Sequence, residues 1–169
     1  MFSTLLLCTA GVASAESFTF TYTGIIGSPS NTVSGILTTT EQSAGVYLIT
    51  GITDGLFDGT AITSVLGTGS FISDGNDNLL YYPAEATGIY TTPAYIDYNG
   101  ISFTTADGEF NLYFNGSSYA LASTLDADDI YGTFTLSPDI SATPEPSSLF
   151  LLGTGLLGAC FMLRLKMAL

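Results

Sequence analysis

Period-two alternation runs through the chain from residue 16 to residue 142. Phe18, Phe20 and Tyr22 alternate with Thr19, Thr21 and Thr23, giving a strand with one aromatic and one hydroxyl face. Segments 32–40 and 45–53 are both rich in β-branched residues and are separated by Glu41-Gln42-Ser43-Ala44. Segment 55–65 contains Asp58-Gly59, a pair suited to a two-residue hairpin turn. Segments 69–72 and 79–82 flank the polar stretch 73–78, segments 95–98 and 101–105 flank Asn99-Gly100, and segments 109–114 and 119–123 flank Asn115-Gly116. Segment 130–136 closes the series, and nothing before residue 143 shows a helical repeat with caps. About ten short strands joined by tight turns predict an all-β domain, an antiparallel sandwich or barrel.

The two ends break this pattern. Residues 5–12 form a short apolar core, and Ala13-Ser14-Ala15 ahead of Glu16 is a small-x-small cleavage site, so 1–15 reads as a signal peptide. No Lys or Arg precedes that core, which leaves the positive charge to the terminal amine. At the other end, Pro144-Glu145-Pro146 is followed by an uncharged run over 147–163 and then by Arg164 and Lys166, the two basic side chains of the protein. The run is about 17 residues long, roughly 25 Å as a helix, at the short limit for a bilayer core of about 30 Å. Basic residues prefer the cytoplasmic side, so Arg164 and Lys166 would act as stop-transfer charges and leave the preceding domain outside.

Pro144-Glu145-Pro146-Ser147-Ser148, the Gly/Leu-rich run and the basic end together resemble the PEP-CTERM sorting signal of Gram-negative bacteria. The resemblance implies an exported precursor that passes through the inner membrane and is recognised at its tail by an exosortase, a membrane transpeptidase-like enzyme. It implies removal of the tail and association of the mature protein with exopolysaccharide and the cell envelope. Pro144, Glu145 and Pro146 would be the recognition motif. The division expected is therefore 1–15 signal peptide, 16–142 exported β domain and 143–169 sorting tail with a transmembrane helix. This tail differs from the usual pattern in having two separated basic residues rather than a tight cluster.

Charge narrows the functions open to the domain. Of 15 acidic residues only Glu145 lies outside 16–142, and that stretch has no Lys, Arg or His. An acidic surface without cations disfavours nucleic acid, whose phosphates need cationic partners. Cys8 and Cys160 both lie in the terminal segments, so the β domain has no disulfide, although the exported compartment would permit one. The absence of His and Cys from the domain rules out the usual zinc ligand sets and any His-based triad.

Three groups of residues carry candidate chemistry. Asp74-Gly75-Asn76-Asp77-Asn78 concentrates side-chain oxygens around one glycine, and Asp74, Asn76 and Asn78 could supply three ligands to calcium. The same residue types also favour a plain turn, and Asp126-Ala127-Asp128-Asp129 reads in the same two ways. Tyr81, Tyr82, Tyr90, Tyr95, Tyr98, Tyr113 and Tyr119 either present sugar-stacking rings or simply fill strand positions. Tyr95 and Tyr98 have opposite parity, so at most one of them faces the core of a regular strand. Asp107 and Glu109 form a carboxylate pair of the kind glycosidases use, but no nucleophile signature accompanies them and no catalytic residue is assigned. The expectation is a non-enzymatic structural or adhesive component of the outer envelope or exopolysaccharide matrix, delivered by Sec-type export and an exosortase. A calcium-assisted carbohydrate-binding module is the alternative, and a secreted hydrolase stands third.

Overall fold

The computed structural model describes residues 15–25, 31–71, 75–87, 90–125 and 128–139. They form ten strands and, among the described residues, no helix. In chain order these are β1 (Ala15–Gly24), β2 (Thr32–Ser43), β3 (Val46–Phe57), β4 (Thr60–Ala61) and β5 (Ser64–Val65). They are followed by β6 (Leu79–Tyr81), β7 (Ile101–Thr105), β8 (Gly108–Phe114), β9 (Tyr119–Ser123) and β10 (Ile130–Pro138). All pairings are antiparallel, in the order β4-β3-β2-β1-β10-β9-β8-β7-β5, with β6 added to β3. The all-β antiparallel class expected from the alternation is the one observed, in the form of one curled sheet.

β1 and β10 pair in the middle of that sheet. Phe18, Phe20 and Tyr22 all point into the interior, while Thr19 and Thr23 are exposed on the other face. On β10, Phe134 is buried on the same inner side, and its ring lies 5.9 Å from that of Phe20. Val33 and Leu37 of β2 and Leu112 and Leu121 of β8 and β9 complete this inner face. The curl comes from β2 and β3, whose pairing shifts register between Ser34 and Ile36, between Thr38 and Thr39, and between Glu41 and Ser43. Each shift inserts unpaired backbone on one strand and increases local twist, which rolls the sheet toward its own core.

The Asp58-Gly59 turn is present, with φ of 47° and 84°, and pairs Phe57 with Thr60. Two expected strands do not form. In segment 69–72, Gly69 adopts φ 74°, and the Ser70 and Phe71 amides, which a ladder would need, are donated to the Asn76 side chain instead. Segment 95–98 spreads its bonds over separate partners. The Tyr95 amide donates to the Tyr119 hydroxyl, the Tyr95 carbonyl accepts from Tyr81, and the Asp97 carbonyl accepts from Phe114. Its only β character is the bridge at its start, between Glu85 and Ala94.

β1 begins at Ala15, beside the expected cleavage point, and Ala13 lies outside the described residues. Glu16 already belongs to the ladder opposite Thr39, whose hydroxyl donates to the Glu16 carbonyl at 2.8 Å. The tail, with Pro144, Glu145, Pro146, Arg164, Lys166 and the expected transmembrane helix, lies outside the described residues, as do Asp74 and Asp126.

Candidate functional site

Asn76 and Asn78 are buried and aim their carboxamides inward. Asn76 Oδ1 accepts from the Ser70 and Phe71 amides, both at 3.0 Å, and its Nδ2 donates to Gly67 O at 3.1 Å and to Asn78 Oδ1 at 2.9 Å. Asn78 Oδ1 also accepts from the Ser102 amide at 3.1 Å, while its Nδ2 donates to Leu66 O at 2.7 Å. Each of the two oxygens thus has both acceptor positions filled by N–H groups. A calcium ion at Asn76 or Asn78 would have to displace those donors and leave buried amides unpaired.

The network continues along the interior. Ser102 Oγ bonds Asn111 Oδ1, Asn111 Nδ2 donates to Asn99 O, and Asn99 Nδ2 donates to Asp77 Oδ2. Asp97 Oδ1 accepts from the Asn99 and Gly100 amides, and its Oδ2 takes the Tyr81 hydroxyl. Burial pushes the Asp77 carboxyl above its ordinary value of 3.8; bonds from the Leu79 amide and the Asn99 side chain pull it back, and neighbouring Asp97 pushes it up again. A carboxyl raised in the folded state holds its proton longer than in the unfolded chain, so stability falls as pH rises from about 4 through the folded value. The melting temperature is therefore expected to be higher near pH 4.5 than at pH 7. Asp77→Asn should flatten that dependence in a calorimetric pH series, and an unchanged slope would remove Asp77 as a contributor.

The tyrosines divide into two populations. Tyr82, Tyr95 and Tyr119 pack against the core, with Tyr119 5.1 Å from Phe134 by ring centroids. Tyr98, by contrast, is 44% exposed, and its ring meets Tyr113 edge-on at 5.6 Å. Tyr113 in turn shares a cross-strand row with Ala120 of β9 and Tyr131 of β10. Tyr131 is 39% exposed, and the Ala120 methyl between the two tyrosines is fully buried. Tyr113 donates to Asp129 Oδ2 at 2.5 Å, and burial first, then that bond and the Asp129 charge, push its hydroxyl well above the ordinary tyrosine value. Tyr90 also meets Tyr98 at 6.4 Å, and Gly116 leaves room for the Tyr90 ring, because a Cβ there would fall 2.4 Å from it.

Tyr131 was not among the tyrosines singled out from the sequence, although its parity opposite Ile130 and Gly132 in segment 130–136 would have placed it on the outer face. Asp129 appeared there only as part of an acidic loop, whereas the structure makes it the partner of Tyr113. Asp107 lies exposed in the β7–β8 turn with its amide donated to Thr105 Oγ1, and Glu109 pairs across from Thr104.

Comparison with known proteins bears on the tail. A family model described as the PEP-CTERM protein-sorting motif matches residues 142–166, so the chain carries that sorting signal. The match supports an exported protein sorted by an exosortase. No curated protein and no solved structure gives a significant match.

Proposed function

We propose that the β domain is a structural or adhesive component of the outer envelope or the surrounding exopolysaccharide matrix. In this reading Sec-type export ends with cleavage after Ala15, and the tail holds the precursor in the inner membrane until the exosortase acts. The observation that carries it is the sorting motif at 142–166 joined to an antiparallel β domain. Cleavage after Ala15 removes only the first pair of the ladder, Ala15 with Thr40, and keeps the Glu16–Thr39 contacts. Mass spectrometry of the protein taken from the native envelope tests this. A mature C-terminus near 144–148 in outer or extracellular fractions is expected, and an intact Leu169 confined to the inner membrane would overturn it. A carbohydrate-binding role for the same domain is favoured by exposed Tyr98 and Tyr131 flanking half-buried Tyr113 of β8.

A further inference from the structure

The geometry points to a neutral-glycan platform formed by Tyr98, Tyr113 and Tyr131, with Asp129 at its rim; this rests on the carbohydrate-binding reading above. Tyr113 and Tyr131 stand two strands apart, about 9–10 Å between backbones. The small side chain of Ala120 separates them, and its complete burial shows that this part of the outer face is covered. Tyr98 widens the patch at one end through its edge contact with Tyr113. At the other end, Ile25 donates its amide to the Tyr131 carbonyl and is 71% exposed. The patch thus joins two of the exposed large hydrophobic residues of the described domain to a third.

The partly exposed rings of Tyr98 and Tyr131 can take the C–H face of a pyranose, at low entropic cost because a tyrosine side chain has few rotatable bonds. These rings are further restricted by their neighbours: Tyr90 and Tyr113 contact Tyr98, and Asp129 ties down the Tyr113 hydroxyl. An ionised carboxylate has about four acceptor positions, of which Tyr113 occupies one, so Asp129 retains capacity for sugar hydroxyls. The adjacent outward row continues the polar lining with Thr133 of β10 opposite Thr23 of β1, both exposed.

Charge selects the class of glycan. The domain has no Lys, Arg or His side chain to face the platform, while Asp129 lies against Tyr113. A uronate or sulfated chain would meet uncompensated like charge, whereas a neutral hexose chain offers hydroxyl donors to the same carboxylate. The occupant is therefore an uncharged hexose polymer segment.

The test uses the mature protein isolated from its envelope and titrated with cellohexaose, laminarihexaose, mannohexaose and hexagalacturonate. The chain has no tryptophan, so tyrosine emission reports directly, with calorimetry as a second readout. Saturable binding of at least one neutral hexaose and none of hexagalacturonate is expected. Tyr98→Ala and Tyr131→Ala should each weaken binding by about tenfold, Tyr131→Phe should retain it, and Leu125→Ala should leave it unchanged. Unaltered melting temperatures establish that the exposed-site variants remain folded. Blank titrations with all neutral hexaoses, equal binding of hexagalacturonate, or binding indifferent to Tyr98→Ala and Tyr131→Ala would each overturn the platform. Binding indifferent to Tyr98→Ala and Tyr131→Ala would sink the platform alone, blank titrations would sink the carbohydrate-binding reading with it, and binding by a protein confined to the inner membrane would sink the envelope reading alone.

Discussion

Replacing Pro144, Glu145 and Pro146 together by alanine is expected to abolish maturation, leaving the full 17.6 kDa chain minus only its leader in the inner membrane. The effect is large because the substitution removes every distinctive feature of the recognition segment at once. Each proline lacks an amide donor and fixes φ, and each biases the preceding residue toward extended backbone. Glu145 places one carboxylate between them, where a transpeptidase-like enzyme can read charge and shape in a single short segment. Alanine permits helix at all three positions and so removes both signals. Glu145→Gln separates the two contributions, since it keeps the extended backbone while deleting the charge. Changing Arg164 and Lys166 to Gln should act differently, by weakening the topology that the charge asymmetry imposes rather than recognition itself. Intact-mass measurement of inner-membrane and extracellular fractions decides the matter. If the triple alanine variant is trimmed and released like the wild type, the motif is not what the sorting enzyme reads.

Parity and turn chemistry made most of the sheet legible in advance. Phe18, Phe20 and Tyr22 all face the core, as their alternation with threonine requires, and Asp58-Gly59 makes the turn its residue types predict. Local pattern was a poor guide where side chains replace the ladder. Segments 69–72 and 95–98 have the composition of strands, but Asn76 captures the amides of the first and Tyr119 takes that of Tyr95. Such competition comes from side chains, five or six residues on for Asn76 and 24 residues on for Tyr119, which no period-two rule registers. The same cause separated Tyr98 from Tyr95. Both belong to one apparent cluster, yet Tyr98 meets Tyr113, which pairing across β8, β9 and β10 sets in one row with Tyr131, while Tyr95 stacks on Tyr82 in the interior. The oxygen-rich loop was ambiguous for a related reason. Asn and Asp serve turns, cations and buried networks with the same atoms, and only the surrounding backbone shows which use is made.

That use makes Asn76 a sensitive position in the described domain, buried with both ends of its carboxamide bonded. Asn76→Ala is expected to lower unfolding free energy by about 2–3 kcal/mol, measured by urea titration at pH 7. Truncation leaves the buried Phe71 amide without its acceptor, while the Ser70 amide keeps only the Gly67 carbonyl and Asn78 Oδ1 keeps only the Ser102 amide. Thr87 Oγ1 is the one side-chain polar atom buried without a partner among the described residues, so there is little slack to absorb new orphans. The loss would spread, because Asn78 joins two parts of the curled sheet: its carbonyl accepts from Ile49 of β3 and its amide donates to Gly100, just ahead of β7. Asn76→Asp separates the donor role from the acceptor role. It keeps an oxygen for the Ser70 and Phe71 amides but aims the second oxygen at Gly67 O and Asn78 Oδ1, where an ionised carboxylate meets only acceptors. Burial and that geometry raise its carboxyl in the folded state, so the added destabilisation is greatest near neutral pH and shrinks as acidification restores a proton to donate. Asn76→Asp should therefore regain stability between pH 7 and pH 4 by more than the wild type does, while Asn76→Ala should not. If both variants unfold at the wild-type urea midpoint, the amide network does not hold the sheet's seam.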